Sequence, residues 1–333
     1  SSPSLEQRMC APMSTPSAVP QGQWRLPPEQ QILQPGETTF VLDRVARELS
    51  IVVSTSVGNF TPSTDKVVAA LESLQANVAL HWCQKILVFD AVPTREEIAE
   101  LRKDNRLYHS ALKGPKWERM WNDKRDSYAQ YCETMGAMKA ANHPALFNVS
   151  LVFLQNFGHL FGGVKRALEE ISTPYVFLTQ HDLRLGGRFV AADVQNALDL
   201  LHRGVAKYIA LNRDANASLR TKTYFRMVDN PCLSGTEARL TAIAGFTDQA
   251  HFAEASWYRR EVIAKIPPER QLTCMEHELH HCWKEDQEWR GTFLYGGRDE
   301  GPFIYDLVHG VEIVDKDGRL HGLHSMPDRA VPA

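Results

Sequence analysis

Residues 173–182 read TPYVFLTQHD. From Tyr175 to Thr179 every side chain is aromatic, aliphatic or β-branched. Such a run, opened by a proline and closed by polar groups, reads as a strand buried on both faces. Its end then delivers Gln180, His181 and Asp182 together to one edge of a sheet. A hard divalent cation held on a diphosphate takes oxygen ligands, usually with one or two carboxylates from the protein. Asp182 could supply one. The plain alternative is an aspartate that ends a strand and caps the next element.

Working outward, three earlier segments have the same character: LSIVVSTSV (49–57), KILVFDAVP (85–93) and NVSLVFLQNF (148–157). Helical patterns separate them. TPSTDKVVAALESLQA opens with Ser, Thr and Asp, and PTREEIAELRKD places Thr94 and Glu97 at capping-box spacing. HLFGGVKRALEEIS (159–172) precedes the opening strand. Strands alternating with helices imply an α/β fold with a parallel sheet covered on both faces. Ligands of such sheets bind where the strands' carboxyl ends emerge. The candidates are therefore Ser54, Thr55, Ser56, Asp90, Asn156, Gln180, His181 and Asp182. No G-x-G-x-x-G follows the first strand and no G-x-x-x-x-G-K-[ST] occurs, which argues against dehydrogenase and P-loop readings. Downstream, 183–250 mixes a helix (GRFVAADVQNALDLLHRG) with short strands such as KYIALN and TYFRMV. HFAEASWYRREVIAKI, TCMEHELHHCWKED (273–286) and GTFLYGGRDEGPFIYDLVHGVEIVD complete the chain before a polar tail, without an internal repeat.

The bulk properties narrow the classes. The 333 residues suit one large α/β domain or two fused halves. A net charge of -3 with no basic stripe gives no footprint for nucleic acid. No apolar run reaches the roughly 18 residues of a membrane span. Residues 1–38 are rich in Ser, Pro and Gln and read as a stem or linker. The first residue is Ser, so an upstream anchor or signal, since removed, stays open. Cysteines stand at 10, 83, 132, 232, 274 and 282, without a CxxC pair. They suit disulfides and free core thiols alike. Sequons at Asn59, Asn148 and Asn216 lean toward a secretory-pathway protein.

The order of these elements resembles the nucleotide-sugar glycosyltransferases of GT-A fold, the family-2-like kind, over roughly residues 48–315. The counterparts are VVSTSVGN, VFDAVP, QNFGHLFGGVKRALEEISTPYVFL and TQHD. The resemblance implies a Rossmann-like mixed sheet flanked by helices, with a nucleotide-sugar half (39–182) and an acceptor half (183–325). It implies that Asp90 contacts base or ribose, and that Lys165 or Arg166 approaches the diphosphate. Asp182 would then be the main ligand of Mn²⁺ or Mg²⁺, in a variant D-x-D motif whose first acid is replaced by Gln180. MEHEL at 275–279, followed by GTFLY, falls on the helix that carries the family's acceptor base. Glu276 takes that position, with Glu278 as the alternative. An inverting transfer needs one such carboxylate to take the proton of the attacking hydroxyl. Trp257 in SWYRREV is either a sugar-stacking platform or a packed core ring. His309 in DLVHGVE stands where a C-terminal histidine completes the metal shell.

The implied activity is transfer of a hexose or pentose from a nucleotide diphosphate, UDP rather than GDP, to a hydroxyl of a glycan or glycoprotein. The implied compartment is the Golgi or secretory lumen, with the cytoplasm as alternative. Two other classes remain. A non-catalytic sugar-binding relative would explain Gln180. A zinc peptidase would use His277-Glu278-x-x-His281, with both histidines one turn apart on a helix. The longer metzincin pattern fails at Lys284, where it requires glycine.

Overall fold

A computed structural model describes residues 35–55, 63–103, 115–213, 216, 226–227, 240–267, 271–272, 275–276, 278–279, 291–297, 300–307, 313–314 and 320–321. The chain divides into two units, Ser1–Thr38 and Thr39–Ala333. Of the first, only Pro35–Thr38 are described, the opening turn of helix α1 (Pro35–Glu48). Helix α1 therefore reaches a few residues into the expected stem.

In the second unit, β1 (Leu49–Thr55), α2 (Thr64–Ala76), the single turn α3 (Val78–His81) and β2 (Gln84–Phe89) follow in order. Next come α4 (Arg95–Lys103), α5 (Pro115–Ala140), β3 (Val149–Phe153), α6 (His159–Glu170) and β4 (Tyr175–Gln180). The capping box at the start of α4 forms as its spacing predicts. Thr94 N–H donates to Glu97 Oε2 at 2.7 Å, and Glu97 N–H donates to Thr94 Oγ1 at 3.0 Å. After β4 come β5 (Leu183–Leu185), α7 (Ala191–His202), β6 (Tyr208–Ala210), β7 (Arg226–Met227), β8 (Leu240–Ala244) and β9 (His251–Glu254). The last elements are α8 (Ala255–Glu261), β10 (Thr292–Tyr295), β11 (Ile304–Asp306), β12 (Ile313–Val314) and β13 (Leu320–His321).

Nine strands form one sheet in the order β3-β2-β1-β4-β9-β6-β10-β8-β7. β3, β2, β1 and β4 are parallel. β9 runs antiparallel to both of its neighbours, β4 and β6. The sheet is thus mixed, and the all-parallel arrangement implied by β–α alternation ends at β4.

Period-2 alternation sorts the strand side chains onto two faces. Ile51, Val53, Leu87, Phe89 and Phe177 join one core with Val67 and Leu71 of α2, Tyr128 and Tyr131 of α5, and Leu198 of α7. Val52, Ile86, Val88, Val176 and Leu178 join the other with Phe161 and Val164 of α6, Trp257 and Tyr258 of α8, and Met275 and Leu279. A central strand buried on both faces must be apolar throughout, and all seven residues of β1 are buried. On α5, Lys124, Tyr128, Tyr131 and Met135 recur at helical spacing as the buried stripe. Cys83 and Cys132 are free thiols. No helix among the described residues is long and apolar enough to cross a membrane.

Candidate active site at the carboxyl edge of the sheet

Register brings the expected strand ends together. Ser54 pairs with Gln180 and Thr55 with Phe89. Two further backbone bonds extend the edge: Asp90 N–H to Thr55 O and His181 N–H to Ser54 O, each 3.0 Å. Ser54, Thr55, Asp90, Gln180, His181 and Asp182 therefore share one rim. Ser54 Oγ donates to Thr179 O at 3.4 Å, and the Thr55 hydroxyl lies 3.2 Å from the Tyr131 hydroxyl.

Asp90 is 4% exposed. Its Oδ1 accepts from Ala91 N–H at 2.9 Å and from Gly158 N–H at 2.8 Å. The carboxyl thus ties β2 to the N-terminus of α6, where the helix dipole favours negative charge. The His159 N–H also favours the ionised form, although Oδ2 has no partner in hydrogen-bond geometry among the described residues. Burial outweighs these donors and pushes the carboxyl up to about 7. Gly158 makes the tie feasible. A Cβ there would stand 2.9 Å from Gly162 Cα and 3.0 Å from Leu154 Cδ1, so only glycine fits unaltered.

Asp182 occupies the turn between β4 and β5. Its carbonyl accepts from Leu307 N–H at 2.7 Å, just past β11, which pairs antiparallel with β5. The C-terminal chain is thereby drawn against Asp182 two residues before His309, which itself lies outside the described residues. Asp182 Oδ1 is buried and has no hydrogen-bond partner among the described residues. Asp248, in the turn leading to β9, is its electrostatic neighbour. Burial first, and then the Asp182 charge, push Asp248 above the usual carboxylate range, while Arg213 opposes. Arg213 also reaches Asp306 at 3.4 Å. His181 is held below its ordinary value by burial, with Asp182 countering. Gln180 turns its amide nitrogen to Asp248 O at 3.0 Å, so the amide group bridges β4 to the Asp248 turn.

Behind this rim lies a small hollow of about 10 Å³, room for roughly one water. Leu178, Thr179, Gln180, Asp248, His251, Tyr258 and Met275 line it, with Leu160 and Val164 of α6. Met275 brings the MEHEL segment to the same place. Met275–Glu276 and Glu278–Leu279 are helical. Glu276 is half-buried and Glu278 is buried at 6% exposure. The Tyr208 hydroxyl is raised well above its ordinary value by burial, then by Tyr258, with Glu276 and Asp248 adding to it. Glu276 is thus an electrostatic neighbour of Tyr208, whose hydroxyl donates to Thr247 O at 2.6 Å.

Other expected residues fall elsewhere. Trp257 is 4% exposed and packs with Tyr208 and Tyr258 at centroid distances of 6.3 and 6.5 Å. Of its two readings, core ring and stacking platform, the buried indole displays the first. Lys165 and Arg166 are not at the rim. α6 begins beside Asp90 and runs away from it, and a rise of ~1.5 Å per residue carries them about 10 Å back. Arg166 turns outward to Glu169 at 3.1 Å and to Glu170. Asn156 is exposed on the bend after β3. Ser56, His277 and His281 lie outside the described residues. Among the described residues, no three His, Cys, Asp or Glu side chains stand together at metal-binding spacing. Asp248, Arg213, Tyr128 and Tyr131 escaped the sequence reading. A lone Asp in GFTDQAHF carries no signal until β9 is known to insert beside β4.

No family model and no curated protein matches the chain. Solved structures resemble it. One is the mannosyltransferase PcManGT from Pyrobaculum calidifontis in complex with GDP-Man and Mn²⁺. It is 11% identical at a TM-score of 0.38, over 79% of this chain and 64% of that one. Another is TarS 1-349 of S. aureus in complex with UDP-GlcNAc: 10% identical, TM-score 0.36, over 78% of this chain and 58% of that one. A cytidylyltransferase from Leptospira borgpetersenii serovar Hardjo-bovis matches at 10% identity and TM-score 0.37, over 77% and 79%. The chain spans less than two thirds of the first two.

Proposed function

We propose that this chain is a GT-A glycosyltransferase that moves a sugar from a nucleotide diphosphate, UDP in preference to GDP, to a hydroxyl acceptor with inversion. The observation that carries the reading is the convergence of Ser54, Thr55, Asp90 and the Gln180–Asp182 turn on one rim, with Met275 of the MEHEL segment lining the hollow behind it. It matches the order in which the resembling family places its donor and acceptor residues. Asp90 would recognise base or ribose, and at 4% exposure it does so only when its present cover moves aside. Oδ1 of Asp182, buried and without a hydrogen-bond partner among the described residues, fits a cation. One carboxylate suffices where water and diphosphate oxygens supply the other ligands of Mg²⁺ or Mn²⁺, and His309 is the expected further ligand. When bound, the ion would offset charge on the diphosphate leaving group.

Glu276 is the proposed base. It is more accessible than Glu278, and a base must reach the acceptor hydroxyl. The acceptor half would take a glycan or glycoprotein, and the proposed setting is the Golgi or secretory lumen.

The test is product formation from labelled nucleotide sugars, with and without a chelator. Glu276→Gln should lower turnover by about 10²-fold or more while nucleotide affinity is kept. Near-normal turnover in that variant would overturn the base assignment. Asp182→Ala should abolish the metal-dependent part of nucleotide binding. Nucleotide-sugar binding without any product marks the non-catalytic relative instead, and chelator-sensitive peptide cleavage marks the peptidase.

A further inference from the structure

We propose that Asn148 carries an N-linked glycan and that Asn216, the other described sequon, does not. Asn216 has 0% exposure, and its Nδ2 donates to Tyr295 O at 2.8 Å, Gly297 O at 3.0 Å and Gly296 O at 3.2 Å. Two hydrogens shared among three carbonyls leave no bond free for a sugar, and no space beside it.

Asn148 is the opposite case. It is exposed in the turn before β3, and Ser150 of the same sequon is exposed on the strand. β3 is the last strand of its sheet, pairing only with β2 among the described residues. Among the described residues, Asn148 Nδ2 makes one bond, to Trp82 O at 2.9 Å. Its φ of 54° and this bond account for an asparagine here, since Asn tolerates the left-handed region. They do not account for a hydroxyl two residues later.

The reaction leaves the local structure intact. Nδ2 forms a bond to C1 of a lipid-linked oligosaccharide and gives up one proton. The C1–O bond to the lipid diphosphate breaks, and the diphosphate leaves with the electron pair. The second N–H remains to donate to Trp82 O.

The surroundings fit a sugar. Trp82 is 55% exposed and Phe147 42%. Their rings stand edge to face at 5.4 Å, with His81 at 4.9 and 5.2 Å from the two. The C–H face of a pyranose can pack on such exposed rings, and Asn148 would hold one beside them. A bulky polar group there would also shield the free edge of β3 from pairing with another strand.

To test this, the full chain is directed into the secretory pathway of a eukaryotic host. It is then treated with peptide N-glycosidase, which leaves aspartate wherever a glycan was attached. Peptide mass spectrometry should find aspartate at position 148 and asparagine at 216. Ser150→Ala should abolish the conversion at 148 and Ser150→Thr preserve it, both with unchanged melting temperature. The protein isolated from its own cells should show the same conversion. Unmodified Asn148 in either preparation, or conversion at 216, overturns the proposal.

Discussion

Asp90 shows how one side chain serves architecture and chemistry at once. Its Oδ1 fastens β2 to the start of α6, and its Oδ2 is buried without a partner in hydrogen-bond geometry among the described residues. Above about pH 7 the carboxyl is ionised in a site that disfavours charge. Asp90→Asn keeps an acceptor for the Gly158 N–H and removes that charge. The urea midpoint of Asp90→Asn at pH 8 should therefore equal or exceed that of the wild type, while nucleotide affinity falls about tenfold or more, a loss of ~1.4 kcal/mol. A variant that is destabilised at pH 8 and binds nucleotide normally would reverse the assignment. The residue was legible in the sequence because it ends an apolar run. Its tie to Gly158 was not, because that contact spans β2 and α6 across 68 positions.

At the level of elements, the strands and helices of the first half could be read directly. β1, β3 and β4 form inside the predicted segments and β2 begins one residue before its own; for the buried β1, β2 and β4 the reason is that a strand covered on both faces must be apolar along its length. The second half was harder. β9 is only four residues long and antiparallel, and nothing in HFAE announces that it lies between β4 and β6. The same blindness hid Asp248. The long helix α5 was missed as well: its buried stripe includes a lysine and two tyrosines, which blurs the apolar period. The α6 start offers a sharp test of element placement. Gly158→Ala pushes a methyl into the Gly162 backbone and should cost about 1–3 kcal/mol. A shift of α6 of ~1 Å would lower turnover by roughly 10²-fold. Gly162→Ala meets only Leu154 Cδ1, at an ordinary 3.7 Å. It should stabilise by up to about 1 kcal/mol, since alanine is the better helix former. Thermal melts and rates of the two variants distinguish a packed turn from a merely flexible one.

For the molecule as a whole, two buried groups pull stability in opposite directions on acidification. His251 is 2% exposed, its Nε2 has no partner among the described residues, and burial pushes it down to about 4. Below its ordinary value of about 6.5 the unfolded chain takes a proton that the fold refuses, so stability falls from about pH 6.5 to 4 by roughly 3 kcal/mol. Asp90, raised to about 7, does the reverse: the fold takes the proton first, and stability grows as pH falls from about 7 to 4. The raised Asp248 adds to that direction. The wild type's urea midpoint should accordingly rise less on acidification than that of a variant without the histidine. His251→Phe should gain stability on going from pH 7.5 to 5, and a falling curve for that variant would exclude the balance. The arrangement of strands also has a consequence in time. β4 is complete at Gln180, but β9, which covers its open side, begins only at His251. At ribosomal speeds of ~5–20 residues per second that interval lasts several seconds. Throughout it, the nascent chain holds out the unpaired edge of an apolar strand, the kind of exposure that chaperones cover.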